Sequence, residues 1–366
     1  MRFLLFPFSL IYRIITSFRN FLYDGGFKKS TEFDISIISV GNLSVGGTGK
    51  TPHTEFLVSI LKNKFNIATL SRGYKRKTKG FLLAEKNSSF EDIGDEPKQI
   101  SNKFPEIKVA VCENRVKGVK KIIENDKETE IVILDDAFQH RKIKPSISIL
   151  LMDYNSPFYD DNLLPYGKLR ESWHEYRRSQ IIIVTKSPED LKPIDRRIIS
   201  KKINVLPFQT IYFTTIKYRE ILPVFDVNSK VINIENCKSL NYSILLVTGI
   251  ANSSILESYL NENVSSKITH LSFGDHYNFN KKSIQKIISA FDSINNTQKI
   301  ILTTEKDAIR LIENKFFPDN LKEFLYFVKI EIDFLFNSKE EFEKQIIENV
   351  KKNRTNYQLQ LSKSQF

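Results

Sequence analysis

The stretch that decides the fold is Gly41–Thr51, GNLSVGGTGKT. It ends as a phosphate-binding loop ends, in the pattern G-x-x-x-x-G-K-[ST] closed by Lys50 and Thr51. The strict pattern starts with glycine, and this chain has Ser44 there. That position turns the chain without bringing a side chain to phosphate, so serine is tolerable. Gly46, Gly47 and Gly49 let backbone N–H groups converge without Cβ clashes. Ser44, Val45, Gly46, Gly47, Thr48, Gly49, Lys50 and Thr51 are therefore the expected nucleotide cradle. The flanks agree. DISIISV (34–40) reads as a buried strand, and KTPHTEFLVSILKNK reads as a helix with Phe56, Leu57, Ile60 and Leu61 on one face. A helix that starts at the loop adds positive potential where phosphate would lie.

Further strands follow at FNIATL (65–70), IKVAVC (107–112), EIVILDD (130–136), SISILLMD (146–153) and QIIIVTK (180–186). Unbroken Ile/Val runs suit strands covered on both faces, hence a mostly parallel sheet. The expected fold is α/β: a P-loop NTPase-like, mostly parallel sheet flanked by helices, a second smaller α/β domain, and an N-terminal amphipathic membrane helix. EIVILDD places Asp135 and Asp136 at a strand's carboxyl end, the arrangement that sets a carboxylate beside Mg²⁺ in P-loop enzymes. Alone this is a weak signal, because strands often end in Asp. Together with GGTGKT it is a strong one.

A second block, with SILLVTGIAN (243–252), KITHLSFGDHYNF (267–279) and KIILTTEKDAIRL (299–311), reads as a smaller α/β unit. TIYFTTIKY (210–218) and FLYFVKIEIDF (324–334) alternate with period two and are expected to pair as a connector. The expected boundaries are 1–25 for the N-terminal helix, 26–208 for the P-loop core, 209–218 with 324–334 for the connector, 219–323 for the smaller domain and 335–366 for the C-terminal segment. In that last segment KEEFEKQIIENVKK reads as a surface helix and the polar end as a frayed tail.

The chain has 366 residues, about two domains' worth, and is 41% hydrophobic. Its net charge of +12 asks for an anionic partner: a nucleotide, a phosphorylated substrate, an acidic membrane surface or nucleic acid. No nucleic-acid recognition module is present to favour the last. The two cysteines, Cys112 and Cys237, are far apart and without histidine spacing around them, which argues against a disulfide framework and against a zinc site. A guanine-reading N-K-x-D motif is missing, since TTEKDA has Glu305 in the asparagine's place. The N-terminus, MRFLLFPFSLIYRIITSFRNFLYDGG, is apolar but broken by Arg2, Arg13 and Arg19, so no run reaches the roughly 18 residues of a spanning helix. On a helical wheel Arg2, Ser9, Arg13, Thr16, Ser17 and Asn20 share one side. That is the pattern of a basic helix lying in a membrane interface, with Pro7 expected to kink its start. The competing reading is a helix packed on the protein's own core.

Other clusters are individually bland: SRGYKRK (71–77) as a phosphate patch or a solvated turn, IGDEP (93–97) as an acidic turn, LLPYGKLRES (163–172), and FGDHYNF (273–279) with His276 beside Asp275. In combination they are specific. GNLSVGGTGKTP, SRGYKR, GDEP, DDAFQH, LLPYGKLRE, TGIAN, FGDHYNF and TTEKDAIR occur in one order. This set resembles the tetraacyldisaccharide 4′-kinase family, the lipid A pathway kinases of Gram-negative envelopes, from the N-terminal helix to about residue 330. The family's loop also carries Ser or Thr at the position of Ser44. DDAFQH stands where the family commonly has DDGLQH, and Lys75 where it often has glycine. Neither departure removes a chemical group.

The resemblance implies transfer of the ATP γ-phosphoryl to the 4′-hydroxyl of a tetraacyldisaccharide 1-phosphate. It implies Mg²⁺ held by Thr51, Asp135 and Asp136 with Glu171, charge stabilisation by Lys50 and Arg170, and Arg72, Gln139 and His140 on the substrate side. Asp95 of GDEP would be the base, with His276 orienting it. The partners implied are a glycolipid and a membrane surface, at the cytoplasmic face of the inner membrane, with no nucleic acid and no indication of oligomeric state. The alternative from a different class is a membrane-associated P-loop switch or assembly factor with no lipid acceptor.

Overall fold

The computed structural model describes residues 2–225, 231–239, 241–265 and 267–364. Contacts divide the chain into two units. The first comprises the residues up to Lys86, Ile100–Ile216 and the chain from Ile332 on. The second comprises Asn87–Gln99 and Lys217–Glu331. The segment 87–99 thus belongs to the second unit, although it lies inside the span 26–208 expected of the P-loop core.

The first unit is built on strands β1 (Ser36–Asn42), β2 (Ile67–Ser71), β3 (Leu82–Leu83), β4 (Lys108–Val111), β5 (Ile131–Asp135), β6 (Ile147–Asp153), β7 (Ile181–Thr185) and the first half of β8 (Thr210–Pro223), a strand that passes into the second unit after Ile216. Their order is β3-β4-β2-β5-β1-β6-β7-β8. All pairings are parallel except β3 with β4. The unbroken apolar runs earn their burial: every residue of β1, β5 and β7 is buried. Alternate residues feed opposite cores. Ile131 and Ile133 meet Leu57, Val58 and Leu61 of the helix Lys50–Leu61. Val132 and Leu134 meet Val119 and Ile122 of the helix Arg115–Asn125. Central β1 lies between β5 and β6, and its register pairs Val40 with Asp135. The loop after β1 therefore emerges beside the acidic pair that ends β5, the place where open α/β sheets bind ligands.

Two helices of this unit differ from expectation. The N-terminal helix runs Phe6–Asp24 after a 3₁₀ turn, Arg2–Leu5. Pro7 sits in its first turn, where the missing N–H has no partner to lose, so it starts the helix instead of kinking it. Its polar side faces the protein: Ser9, Thr16 and Asn20 are buried, while Phe8, Ile11, Ile14, Ile15, Phe18 and Phe21 are each more than half exposed. Its buried positions are polar, although Tyr12 packs against the apolar cluster that includes Leu163 and Leu169. The C-terminal helix, Lys339–Ser364, is helical beyond the expected fraying point, and it is a surface helix with one buried stripe. Phe342, Ile346 and Val350, four residues apart, are buried in the core with Tyr212 and Phe334.

The second unit carries the end of β8, β9 (Ile232–Asn233), β10 (Ser243–Thr248), β11 (Ile268–Ser272), β12 (Lys299–Thr304) and most of β13 (Leu325–Phe334), whose residues from Ile332 on belong to the first unit. β11, β10, β12 and β13 pair parallel in that order, and β9 pairs antiparallel with the end of β8. β8 and β13 are neighbours in the strand order. Helices Ser254–Asn263 and Lys281–Asp292 cover the β10–β12 strands, with Leu256 and Leu260 in one cluster and Ile284, Ile287 and Phe291 in another.

Candidate functional site

The loop after β1 is held open by its glycines and braced by its neighbours. Gly46 and Gly49 have φ of 115° and 83°, the left-handed region that side chains avoid. A Cβ on Gly41 would lie 2.7 Å from the Phe138 Cβ, so the start of the stretch admits no larger residue. The Asn42 amide donates to Thr48 Oγ1 at 2.9 Å, and Thr185 Oγ1 donates to the Thr48 carbonyl at 3.0 Å. Lys186 Nζ donates to the Gly47 carbonyl and pairs with Asp153 at 2.6 Å. His53 is fully buried. Its Nδ1 donates to the Gly49 carbonyl at 2.7 Å and its Nε2 accepts from Thr214 Oγ1 at 3.0 Å. Burial pushes the imidazole down to about 4, against the opposing pull of the Gly49 carbonyl. These braces went unread in the sequence. Their only signal was position: Thr185-Lys186 ends a strand of the same sheet edge, and His53 lies one turn into the loop's helix.

The acidic pair lies alongside. Asp135 is buried and its Oδ1 accepts from Thr54 Oγ1 at 3.3 Å. Asp136 takes a positive φ of 48°, unusual for a residue with a side chain and common where function holds the backbone. Lys50 Nζ lies 3.8 Å from Asp136 Oδ1, and Arg170 Nη1 donates to both Asp136 oxygens at 2.9 and 3.1 Å. Burial works against ionisation of Asp136, but Lys50, Arg170 and Arg115 outweigh it and hold the carboxyl below its ordinary range. Buried Arg115 is itself pushed down to about 10 by desolvation, with Asp136 and Asp135 opposing. Thr51, Asp135 and Asp136 offer hard oxygen donors next to the loop, the chemistry Mg²⁺ prefers. Among the described residues no cluster of three or more His, Cys, Asp or Glu forms a self-sufficient cage.

Glu171 has different partners from those expected of a metal ligand. It is completely buried, with Oε1 on Arg19 and Oε2 on Arg178. Burial raises its carboxyl, opposed by Arg178 and Arg19. Both oxygens are thus committed to guanidinium groups. Gln139 donates its amide to the Asn42 carbonyl at 2.8 Å, which ties the end of β5 to the end of β1. His140 is pushed down to about 4 by burial and then by Arg115, Lys142 and Arg72. Arg72 is exposed, whereas Arg76 of the same basic run is engaged with Glu113 and the Gly80 carbonyl.

The second unit gathers a separate polar cluster. Asp95 is buried at the first residue of the helix Asp95–Lys103. Its Oδ2 accepts from His276 Nδ1 at 2.9 Å, and its Oδ1 accepts from Arg310 Nε at 3.0 Å. Burial opposes its ionisation, but His276 and Arg310 prevail and hold Asp95 far below the usual carboxylate range. Lys306 Nζ lies 3.0 Å from His276 Nε2 and 3.3 Å from Glu96. Because the ammonium can only donate, Nε2 accepts and Nδ1 carries the proton to Asp95. His276 has a φ of +54° and its N–H donates to the Gly249 carbonyl, so the TGIAN and FGDHYNF turns are joined. Arg310 Nη1 in turn donates to buried Asp307 at 3.1 Å, and Asp307 accepts from the Gly249 N–H at 2.8 Å. Asp95 and His276, paired in expectation, are therefore paired in fact. Lys306, Asp307 and Arg310 were legible only as the motif TTEKDAIR, with no role attached.

A phosphate loop on a parallel sheet, an acidic pair at the adjacent strand end and cations converging on it define a P-loop phosphotransferase. Comparison with known proteins narrows the class. The family model for tetraacyldisaccharide-1-P 4′-kinase matches residues 1–351. The chain is 45% identical over 359 residues to the tetraacyldisaccharide 4′-kinase of Bacteroides thetaiotaomicron, covering 96% of this chain and 94% of that one. It is 42% identical over 354 residues to that of Flavobacterium johnsoniae, covering 96% and 98%. A crystal structure of LpxK from Aquifex aeolicus in complex with ATP superposes with a TM-score of 0.74 at 30% identity, covering 95% of this chain and 99% of that one. The chain belongs to the tetraacyldisaccharide-1-phosphate 4′-kinase family.

Proposed function

We propose that this protein transfers the γ-phosphoryl of ATP to the 4′-hydroxyl of a tetraacyldisaccharide 1-phosphate, a step of lipid A biosynthesis. The observation that carries the reading is the pairing of a braced GGTGKT cradle with Asp136 held ionised by Lys50 and Arg170, in a chain whose relatives bear that activity's name. The 4′-oxygen attacks the γ-phosphorus, the bond from that phosphorus to the β-bridging oxygen breaks, and ADP leaves with the electron pair. Lys50 and Arg170 neutralise charge that spreads over the transferring group. Thr51, Asp135 and Asp136 would hold Mg²⁺, which neutralises the phosphates when bound; Glu171 drops out of that set.

Asp95 accepts the hydroxyl proton and His276 orients the carboxylate. A carboxyl held so low is a weak base but a dependable hydrogen-bond acceptor. In a loose phosphoryl-transfer transition state the hydroxyl proton leaves late, so orientation counts for more than basicity. Arg310 fixes one edge of the carboxylate and leaves little freedom of rotation.

The enzyme works at a membrane surface. Four acyl chains keep the acceptor in a bilayer, and the N-terminal helix turns an aromatic and aliphatic face away from the protein. Among the described residues no helix is long and apolar enough to cross a membrane. An interfacial helix with its axis in the membrane plane answers both observations. Net charge of +12 favours an anionic leaflet, and the need for ATP puts the enzyme on the cytoplasmic side.

The decisive assay incubates folded protein with ATP, Mg²⁺ and the disaccharide 1-phosphate in mixed micelles and follows the bis-phosphorylated lipid. Acceptor-dependent product is expected. ATP hydrolysis indifferent to acceptor, with no lipid product, would sink the assignment in favour of a switch-type NTPase.

A further inference from the structure

One residue of the catalytic unit is gripped from three directions. Arg170 donates its backbone N–H to the Leu43 carbonyl at 2.7 Å, just before the phosphate loop. Its own carbonyl accepts from the Tyr12 hydroxyl of the N-terminal helix at 2.9 Å. Its guanidinium holds Asp136. The segment around it, Leu163–Glu171, is a tight loop closed by hydrogen bonds from Gly167 N–H to the Leu163 carbonyl and from Leu164 N–H to the Leu169 carbonyl, at 2.8 and 2.9 Å. One side of that loop bears on the phosphate cradle: Val45 N–H donates to the Lys168 carbonyl at 2.8 Å, and Ser44 bridges to Leu169. The other side bears on the N-terminal helix. Ser9 Oγ donates to the Leu163 carbonyl at 2.8 Å, the Phe6 and Tyr166 rings meet edge to face, and Arg19 binds buried Glu171.

We propose that the N-terminal helix is a positioning element for the nucleotide site as well as a membrane contact, and that Leu163–Glu171 couples membrane engagement to ATP binding through Tyr12 and Arg19. The inference rests on the interfacial role of the helix proposed above. Its physical basis is the inverted amphipathicity of that helix. Docked as it is, the helix turns its polar side inward and its apolar face outward. Away from the protein a segment of this length is only marginally helical in water; a bilayer that takes up the apolar face holds the segment helical, the form that docks. The docked helix satisfies the Arg170 carbonyl and neutralises Glu171, and Arg170 is then set against Asp136 and Leu43. A carboxylate as buried as Glu171 is costly once one of its two guanidinium partners leaves. Helix undocking therefore disturbs the very segment that carries Arg170.

Linkage makes the test strict, because coupling between two binding events is reciprocal. A fluorescent ATP analogue is titrated into full-length protein with and without phosphatidylglycerol–phosphatidylethanolamine vesicles, no glycolipid acceptor being present. Vesicle flotation is measured with and without Mg-ATP. Vesicles should tighten nucleotide binding by about fivefold or more, and nucleotide should tighten vesicle binding by the same factor. In Tyr12→Phe and Arg19→Met both gains should fall below about twofold, with flotation in the absence of nucleotide retained. Tyr12→Phe deletes only a hydroxyl, and circular dichroism confirms its folding. Flotation with nucleotide affinity indifferent to vesicles in the wild type would overturn the coupling and leave the membrane contact standing. Failure of the wild type to float would overturn the membrane role itself and the coupling with it. Equal coupling in wild type and both variants would remove Tyr12 and Arg19 from the link.

Discussion

At the scale of single residues, the loop's chemistry depends on side chains that never touch phosphate. His53 is the clearest case, since it spans from the Gly49 carbonyl to Thr214 as a neutral, buried ring. The unfolded chain takes up a proton on this imidazole below its ordinary value of 6.5, while the folded protein refuses one until about 4. Stability is therefore fully present above that window and is lost as pH falls through it, by at most about 3 kcal/mol for this group. His53→Gln keeps one hydrogen bond to the loop and cannot titrate. Denaturant melts at pH 7.5 and 5 should show a shallower pH dependence for the variant, by about one proton; an unchanged slope would clear His53 of the effect. Lys50→Met removes the cationic side chain of the Ser44–Thr51 cradle, and kcat should fall by about 10²–10³ with the fold intact. Asp95→Asn keeps the size and loses the charge that Arg310 and His276 hold. It should lower kcat by about 10² or more while KM for ATP, set in the other unit, stays near wild type. A rise in that KM with kcat preserved would argue that Asp95 has no part in catalysis.

At the scale of elements, the N-terminal helix inverts the usual rule that apolar faces stabilise. Ile14 is 69% exposed and Phe18 61%, so replacing both with serine should leave the melting temperature within a degree or two. The same double change should cut vesicle partitioning by about tenfold or more, because each lost side chain removes several methylene equivalents of insertion energy. Asn20→Leu, on the buried polar side, should do the opposite: Asn20 Oδ1 accepts from Arg19 and its carbonyl accepts from Arg141. A lower melting temperature is expected there without loss of membrane affinity. The helical wheel found the two faces of this helix and could not say which one the protein would take. That choice is made by carbonyls at Leu163 and Arg170 and by a carboxylate at Glu171, more than a hundred residues away. The strands were legible for the complementary reason. A run such as IIIV has only one way to be satisfied, burial on both faces, and it needs no knowledge of its partners. Glu171 shows the same limit from the site's side. An acid next to a catalytic arginine reads as a metal ligand until Arg19 and Arg178 are seen on its two oxygens.

At the scale of the whole molecule, the chain returns to its first unit after the second is complete, and that return is structural. The C-terminal helix looked like a solvent-exposed helix because KEEFEKQIIENVKK is rich in charge. Its apolar residues are few but four apart, and each lands in one core. Phe342 is buried among Phe56, Tyr212 and Phe334, with ring centroids 6.0, 5.2 and 4.8 Å away. Ser36 at the start of β1 reaches the Val350 carbonyl at 3.5 Å, so the helix lies along the strand that leads into the phosphate loop. Phe342→Ala would open a cavity among aromatic rings that cannot collapse, at a cost of about 3–5 kcal/mol. The midpoint of thermal unfolding should fall by on the order of 10 °C. Nucleotide binding by the surviving folded protein at low temperature should be nearly normal, since no residue of the cradle is touched. The second unit does not share this core: its own clusters centre on Leu246, Leu302, Ile287 and Phe291. Calorimetry of Phe342→Ala should therefore split a single wild-type transition, the first unit melting early and the second at its original temperature. One transition, shifted as a whole, would mean that the two units unfold as a single cooperative body and that the C-terminal helix stabilises both.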